Sequence, residues 1–148
     1  MTYQEWDFIA DSYIPALGLV FIIFAFKKVS IYGWHSQAYE VLGVLISVML
    51  IYGIMFIDNV FNIWPRLGLD YSTHTALSLV FVTHFSLQSK NQRLIASLSM
   101  ILYIILMIYQ KYHTLLDIFT TSIIVLPFIT LLQFKANEIS TKLNKSKR

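Results

Sequence analysis

The sequence predicts an all-α integral membrane bundle of about five transmembrane helices, and three observations predict it. Of 148 residues, 57% are hydrophobic and only 13% are charged, with a mean hydropathy of +0.64, where a soluble domain carries roughly 25% charged residues. The apolar residues gather into five charge-free runs of 15 to 19 residues, close to the roughly 17 to 25 that a bilayer-crossing helix needs. None of these runs sustains the period of two expected of a barrel strand. A soluble globular domain and a disordered chain are therefore excluded. The absence of cysteine removes disulfide frameworks, thiolate metal sites and cysteine nucleophiles.

The first run, Ser12 to Phe26, is about 22 Å long as a helix and is expected to borrow Phe8 to Asp11 at its start. An acidic amino-terminal segment without a basic n-region marks it as a retained helix rather than a signal peptide. Lys27 to Glu40 is polar and reads as a connection. The second run, Val41 to Ile57, carries Gly43 and Gly53, which suit close helix packing. After the connection Asp58 to Asp70, the third run, Tyr71 to Ser89, opens on Ser72 and Thr73, both good caps. His84 in this run reads as an interhelical hydrogen-bonding residue. Lys90 to Arg93 leads to the fourth run, Leu94 to Gln110, and Lys111 to His113 leads to the fifth, Ile118 to Phe134, extendable back across Asp117 to Thr114. Pro127 is expected to kink it. Residues 1–134 thus form one transmembrane domain, and 135–148 read as a basic, solvated tail touching anionic lipid.

Alternating the connections sorts the charges. One side holds Lys27, Lys28, Lys90, Arg93, Lys135, Lys142, Lys145, Lys147 and Arg148 against Glu40 and Glu138, a net of +7. The other holds Arg66 and Lys111 against Glu5, Asp7, Asp11, Asp58, Asp70 and Asp117, a net of −4. The positive-inside rule then places the amino terminus outside and the carboxyl terminus in the cytoplasm, as in a bacterial inner membrane protein whose acidic face looks into the periplasm or exterior. The overall charge of +3 encodes orientation, and no nucleic-acid partner is expected.

Ionisable groups within or at the ends of spans are costly and so mark candidate sites. Two clusters qualify: Asp70-Tyr71-Ser72-Thr73-His74-Thr75 and Lys111-Tyr112-His113-Thr114-Leu115-Leu116-Asp117. Both lie at amino ends of helices running inward, so both reach the same external face. His113 and Asp117, four residues apart, are expected to share a helical face, with the carboxylate fixing the imidazole tautomer and improving the histidine as nucleophile or base. Unpaired amides and the partial positive charge at helix amino termini suit a phosphate. Ser72 or Thr73 adds a hydroxyl donor, and Asp70 is placed to orient His74. The same residues also have plainer readings, as helix caps, an interfacial histidine and a loop acid; their conjunction on one face is what favours a site.

At these residues the sequence resembles the type 2 phosphatidic acid phosphatase superfamily of membrane lipid phosphatases and phosphotransferases, which is marked by K-x6-R-P, P-S-G-H and S-R-x5-H-x3-D. Tyr71-Ser72-Thr73-His74-Thr75-Ala76 is similar to the second motif, and His113-x3-Asp117 matches the end of the third. The resemblance covers roughly Asp58 to Phe134. It implies phosphoryl transfer on a phosphorylated lipid without metal or other cofactor: His113 attacks phosphorus to form a phosphohistidine, Asp117 orients it, His74 protonates the leaving oxygen, and Ser72 and Thr73 lie against the phosphate. The third motif's S-R falls at Leu106 and Met107, so its arginine is absent, leaving Lys111 and Arg66 as the cations available to the phosphate. Arg66 follows Pro65 instead of preceding a proline. Five helices rather than the family's six leave room for a homo-oligomer to complete a groove.

Two other function classes stay open. A non-catalytic relative would hold a lipid phosphate or a membrane partner. A haem carrier would use His74 and His113, on different helices, as ligands.

Overall fold

The computed structural model describes residues 3–146 and is all-helical, with no strand among the described residues. Five helices follow one another: α1 (Tyr3–Tyr32), α2 (Trp34–Phe61), α3 (Thr73–Ser86), α4 (Lys90–Tyr109) and α5 (Leu115–Ser146), with a single 3₁₀ turn, Pro65–Leu67, between α2 and α3. Four of them, α1, α2, α4 and α5, are long and apolar enough to cross a membrane. In their most apolar stretches only 11–28% of residues are buried within the bundle. Leu19, Ile23, Met49, Phe56, Ile95, Leu102 and Phe119 all stand exposed on these four helices, an apolar perimeter that lipid would cover.

The third expected span is the exception. Its charge-free run of 19 residues yields a helix of 14, about 21 Å long, against a hydrocarbon core of roughly 30 Å. Ser72 caps it, its Oγ accepting from the Thr75 amide at 3.2 Å. Ser89 belongs to α4, whose Gln92 amide it caps at 3.2 Å, so Leu87 to Ser89 form a turn. The helix is central: α1, α2, α4 and α5 all pack against α3, and Ala76 and Val80 are wholly buried.

The connection expected over Lys27 to Glu40 is almost entirely helical. Gly33 alone separates α1 from α2, with φ 84° and ψ 162°, a conformation essentially confined to glycine. Lysine is a good helix former, and Lys28 pairs with Glu40 at 2.7 Å across this corner, which lets both helices continue past their apolar runs. The stretch expected to be a solvated tail is likewise helical as far as Ser146, with Ala136 and Ser140 buried. Residues 147 and 148 lie outside the described residues.

α2 and α5 approach most closely where side chains are smallest. A Cβ on Gly43 would lie 2.7 Å from the Ala136 Cβ. One turn on, Ser47 and Gln133 meet at 3.3 Å, and the Gln133 amide also donates to the Val80 carbonyl at 3.0 Å, joining α2, α3 and α5 inside the apolar bundle.

Residues 62–72 connect α2 to α3 at one end of the bundle; most are exposed, while Trp64, Tyr71 and Ser72 are buried. Buried backbone needs internal hydrogen-bond partners, and side chains supply several of them. The Trp64 amide donates to Asp58 Oδ1 (2.8 Å), the Asp70 amide to Asp117 Oδ1 (2.8 Å) and the Ser72 amide to Thr121 Oγ1 (3.0 Å). Trp64 and Tyr71, both buried, meet edge to face at 5.1 Å, while the Tyr71 hydroxyl donates to the Ile51 carbonyl.

Candidate active site

The α2–α3 connection and the α4–α5 turn bring the two histidine clusters together. His74 is in the first turn of α3 and His113 in the turn before α5, and their rings lie 6.0 Å apart, centroid to centroid. The Nδ1 atoms of both are buried without a hydrogen-bond partner. Tyr112 packs on His74, with ring centroids 5.4 Å apart, and its hydroxyl donates to Asp7 and Asp11 of α1. Burial pulls the His113 pKa below the ordinary histidine value, His74 adding to the effect while Asp70 and Asp117 oppose it. A neutral imidazole, competent as nucleophile or base, is favoured there.

The carboxylate beside His113 is not the expected one. Asp70 Oδ2 lies 3.6 Å from His113 Nδ1, close enough to pair in charge but too far for a hydrogen bond, and His74 Nδ1 has no hydrogen-bond partner. Asp117 is engaged elsewhere. Its Oδ2 accepts from the amide and hydroxyl of Thr114 (2.8 and 2.7 Å), its Oδ1 accepts from the Asp70 amide, and its own amide donates to Thr114 Oγ1. That reciprocal arrangement is a capping box. The expectation of a shared helical face for His113 and Asp117 required the helix to include His113; it begins at Leu115 because Thr114 is the better cap.

The expected phosphate-contacting residues divide. Ser72 is wholly buried and its hydroxyl meets Thr75 Oγ1 at 2.7 Å as well as the Thr75 amide, so it is spent on the cap. Thr73 is the half-buried first residue of α3. Arg66 is exposed on the 3₁₀ turn. Lys111 is exposed with φ 58°. It occupies the left-handed position of a Schellman motif at the end of α4, where its amide reaches the Ile108 carbonyl and that of Tyr112 reaches Met107. Met107, at the position of the family's motif arginine, is wholly buried, so no cation from that position reaches the histidines. Among the described residues, no group of three His, Asp or Glu side chains is placed to hold a metal ion.

A second polar cluster, not anticipated from the sequence, occupies the opposite end of α3. Glu40 is only 5% exposed, yet both its oxygens are satisfied. Lys28 donates to Oε1 (2.9 Å) and Oε2 (2.7 Å), Ser140 to Oε1 (2.9 Å) and Gln88 to Oε2 (3.0 Å). Gln88 Nε2 also lies 3.4 Å from His84 Nε2, and Ser36 meets Ser140 at 2.9 Å. The available signal was Glu40 itself, an acid just before an apolar run on a side that is strongly basic overall.

Comparison with protein-family models, with curated proteins and with solved structures gives no match for this chain.

Proposed function

We propose that the chain is a membrane phosphoryl-transfer enzyme that hydrolyses a phosphorylated lipid at the outer membrane face. The observation carrying this reading is the 6.0 Å separation of the His74 and His113 rings, both at helix amino-terminal ends; one phosphate group spans such a gap. A His113 ring nitrogen attacks phosphorus as the ester P–O bond breaks, and His74 gives its proton to the leaving oxygen. Water then attacks the phosphohistidine, yielding its proton to His74, and the N–P bond breaks to release inorganic phosphate. Asp70 takes the carboxylate role beside His113. The Thr73 and His74 amides at the start of α3, which lack intrahelical acceptors, favour the anionic phosphate. Trp6, Ile9 and Tyr13 of α1 and Leu102, Leu106 and Tyr109 of α4 line an apolar recess of about 710 Å³, whose character suits a lipid tail.

The test is phosphate release in detergent, without added metal, from phosphatidate, phosphatidylglycerophosphate, an isoprenyl diphosphate and a lipid A phosphate. Wild type releases phosphate from at least one, and His113→Ala or His74→Ala lowers release by about 10²-fold or more. Equal release from wild type and His113→Ala overturns the assignment. The buried Met107 favours a second reading, a non-catalytic protein holding a lipid phosphate: tight lipid binding without turnover by wild type selects it. A Soret band in the purified protein replaces both readings with the haem carrier.

A further inference from the structure

The amino end of α1 carries none of the groups that act on phosphorus, yet two of its carboxylates reach the histidine pair through a single side chain. Tyr112 is half-buried in the α4–α5 turn. Its hydroxyl donates to Asp7 and, at 3.3 Å, to Asp11, acids one helical turn apart on α1. The bond to Asp7, helped by burial, holds the Tyr112 phenol well above its ordinary pKa, so it stays a neutral donor and is unsuited to act as a base. The acceptors are themselves held. Tyr13 stacks on Tyr103 of α4 at 4.0 Å, its hydroxyl meets Ser99 at 3.0 Å, and Trp6 meets Tyr109 edge to face at 6.2 Å.

His74 is the group that needs a fixed wall. Its Nδ1 is buried without a hydrogen-bond partner, so no bond through that atom sets the imidazole, whose torsion about Cβ–Cγ is broad and roughly two-fold. Proton exchange with a substrate then falls to Nε2, and half a turn about Cβ–Cγ exchanges that nitrogen with Cε1. Of the two rings beside the imidazole, Tyr112 is the nearer, with centroids 5.4 Å apart and planes 33° apart, against 6.0 Å for His113. Resting on the phosphoryl-transfer reading, we propose that Tyr112, locked by Asp7 and Asp11, is a positioning residue for His74, so that the first turns of α1 complete the candidate active site.

Nuclear magnetic resonance and kinetics of the full-length protein in detergent test it together. Overhauser contacts between the Tyr112 and His74 rings are expected in wild type and should be lost or weakened in Asp7→Ala with Asp11→Ala, where both rings are retained. With whichever lipid phosphate wild type hydrolyses, Tyr112→Phe and the double aspartate variant should each lower kcat by about 10- to 10²-fold with KM little changed, as misplacing a reacting group by about 1 Å does. The triple variant should lose no more than either, because both changes cut the same link. Rings out of contact in wild type, contacts that survive unchanged in the double aspartate variant, an unchanged kcat in Tyr112→Phe, or additive losses in the triple variant each overturn the proposal. A wild type without turnover overturns the phosphoryl-transfer reading instead, while the ring contacts still decide whether α1 anchors Tyr112 against His74.

Discussion

Asp117 is spent on the helix cap while Asp70 stands 3.6 Å from His113, and the difference between the two acids can be measured. Asp117 is buried and accepts from two backbone amides and a hydroxyl, so Asp117→Asn, which turns an amide group toward donors, should cost about 1–3 kcal/mol of stability. Asp70 is 71% exposed. Asp70→Asn should alter stability by no more than about 0.5 kcal/mol while lowering phosphate release roughly 10²-fold. Denaturant titration and turnover of the two variants separate the roles, and the reverse pattern would restore Asp117 as the orienting acid. His113 adds a pH signature. Its folded pKa lies below the ordinary value, so the unfolded chain binds the proton more readily. Stability is then level above about pH 6.5 and falls as the pH drops from there through the lowered folded value. His113→Gln should flatten that decline in melting temperature, and an unchanged slope would remove His113 as its source. Which residue types form the site was legible, because so few ionisable groups occur near the apolar runs. Their pairing was not, since it depends on whether the helix starts at His113 or two residues later, which a threonine decides.

Among the elements, the corners are the parts least visible in sequence. Polar composition marks Lys27 to Glu40 as a loop, yet a lysine–glutamate pair across one glycine keeps both helices intact. Gly33→Ala should therefore destabilise by about 1–3 kcal/mol, read as a fall in thermal midpoint, through its backbone conformation alone. The α2–α5 seam behaves differently. At Gly43 the opposing Ala136 Cβ belongs to a stiff side chain, so Gly43→Val should separate the helices and cost about 1–3 kcal/mol or more, whereas Gly53→Ala, with open space around it, should be tolerated. The four long helices follow directly from hydropathy. The shortness of α3 does not, because Ser72 and Ser89 end apolar runs as quietly as they extend them.

At the scale of the whole molecule, α3 links two polar clusters, one around the histidines and one around Glu40, inside a perimeter of exposed apolar side chains. The second cluster ties α1, α2, the α3–α4 turn and α5 to one carboxylate. Removing one member of such a pair leaves the other buried and uncompensated, so Lys28→Met should cost about 3–5 kcal/mol, and Lys28→Met with Glu40→Leu should recover much of it. A double-mutant cycle on unfolding in detergent measures the coupling; simple additivity would show that the pair does not bind the helices together.

The shortness of α3 also bears on how the protein is made. A helix of 14 residues bearing Thr75, Ser78, Thr83 and His84 is a poor substrate for insertion into lipid by itself. The Asp70 and Ser72 amides before it and its own Val80 carbonyl find their partners on Asp117, Thr121 and Gln133, all in α5, which is synthesised after it. A nascent chain ending at Tyr109 should therefore leave α3 open to proteolysis, and extending it through α5 should bring protection in a single step, so that assembly of α3 waits on α5.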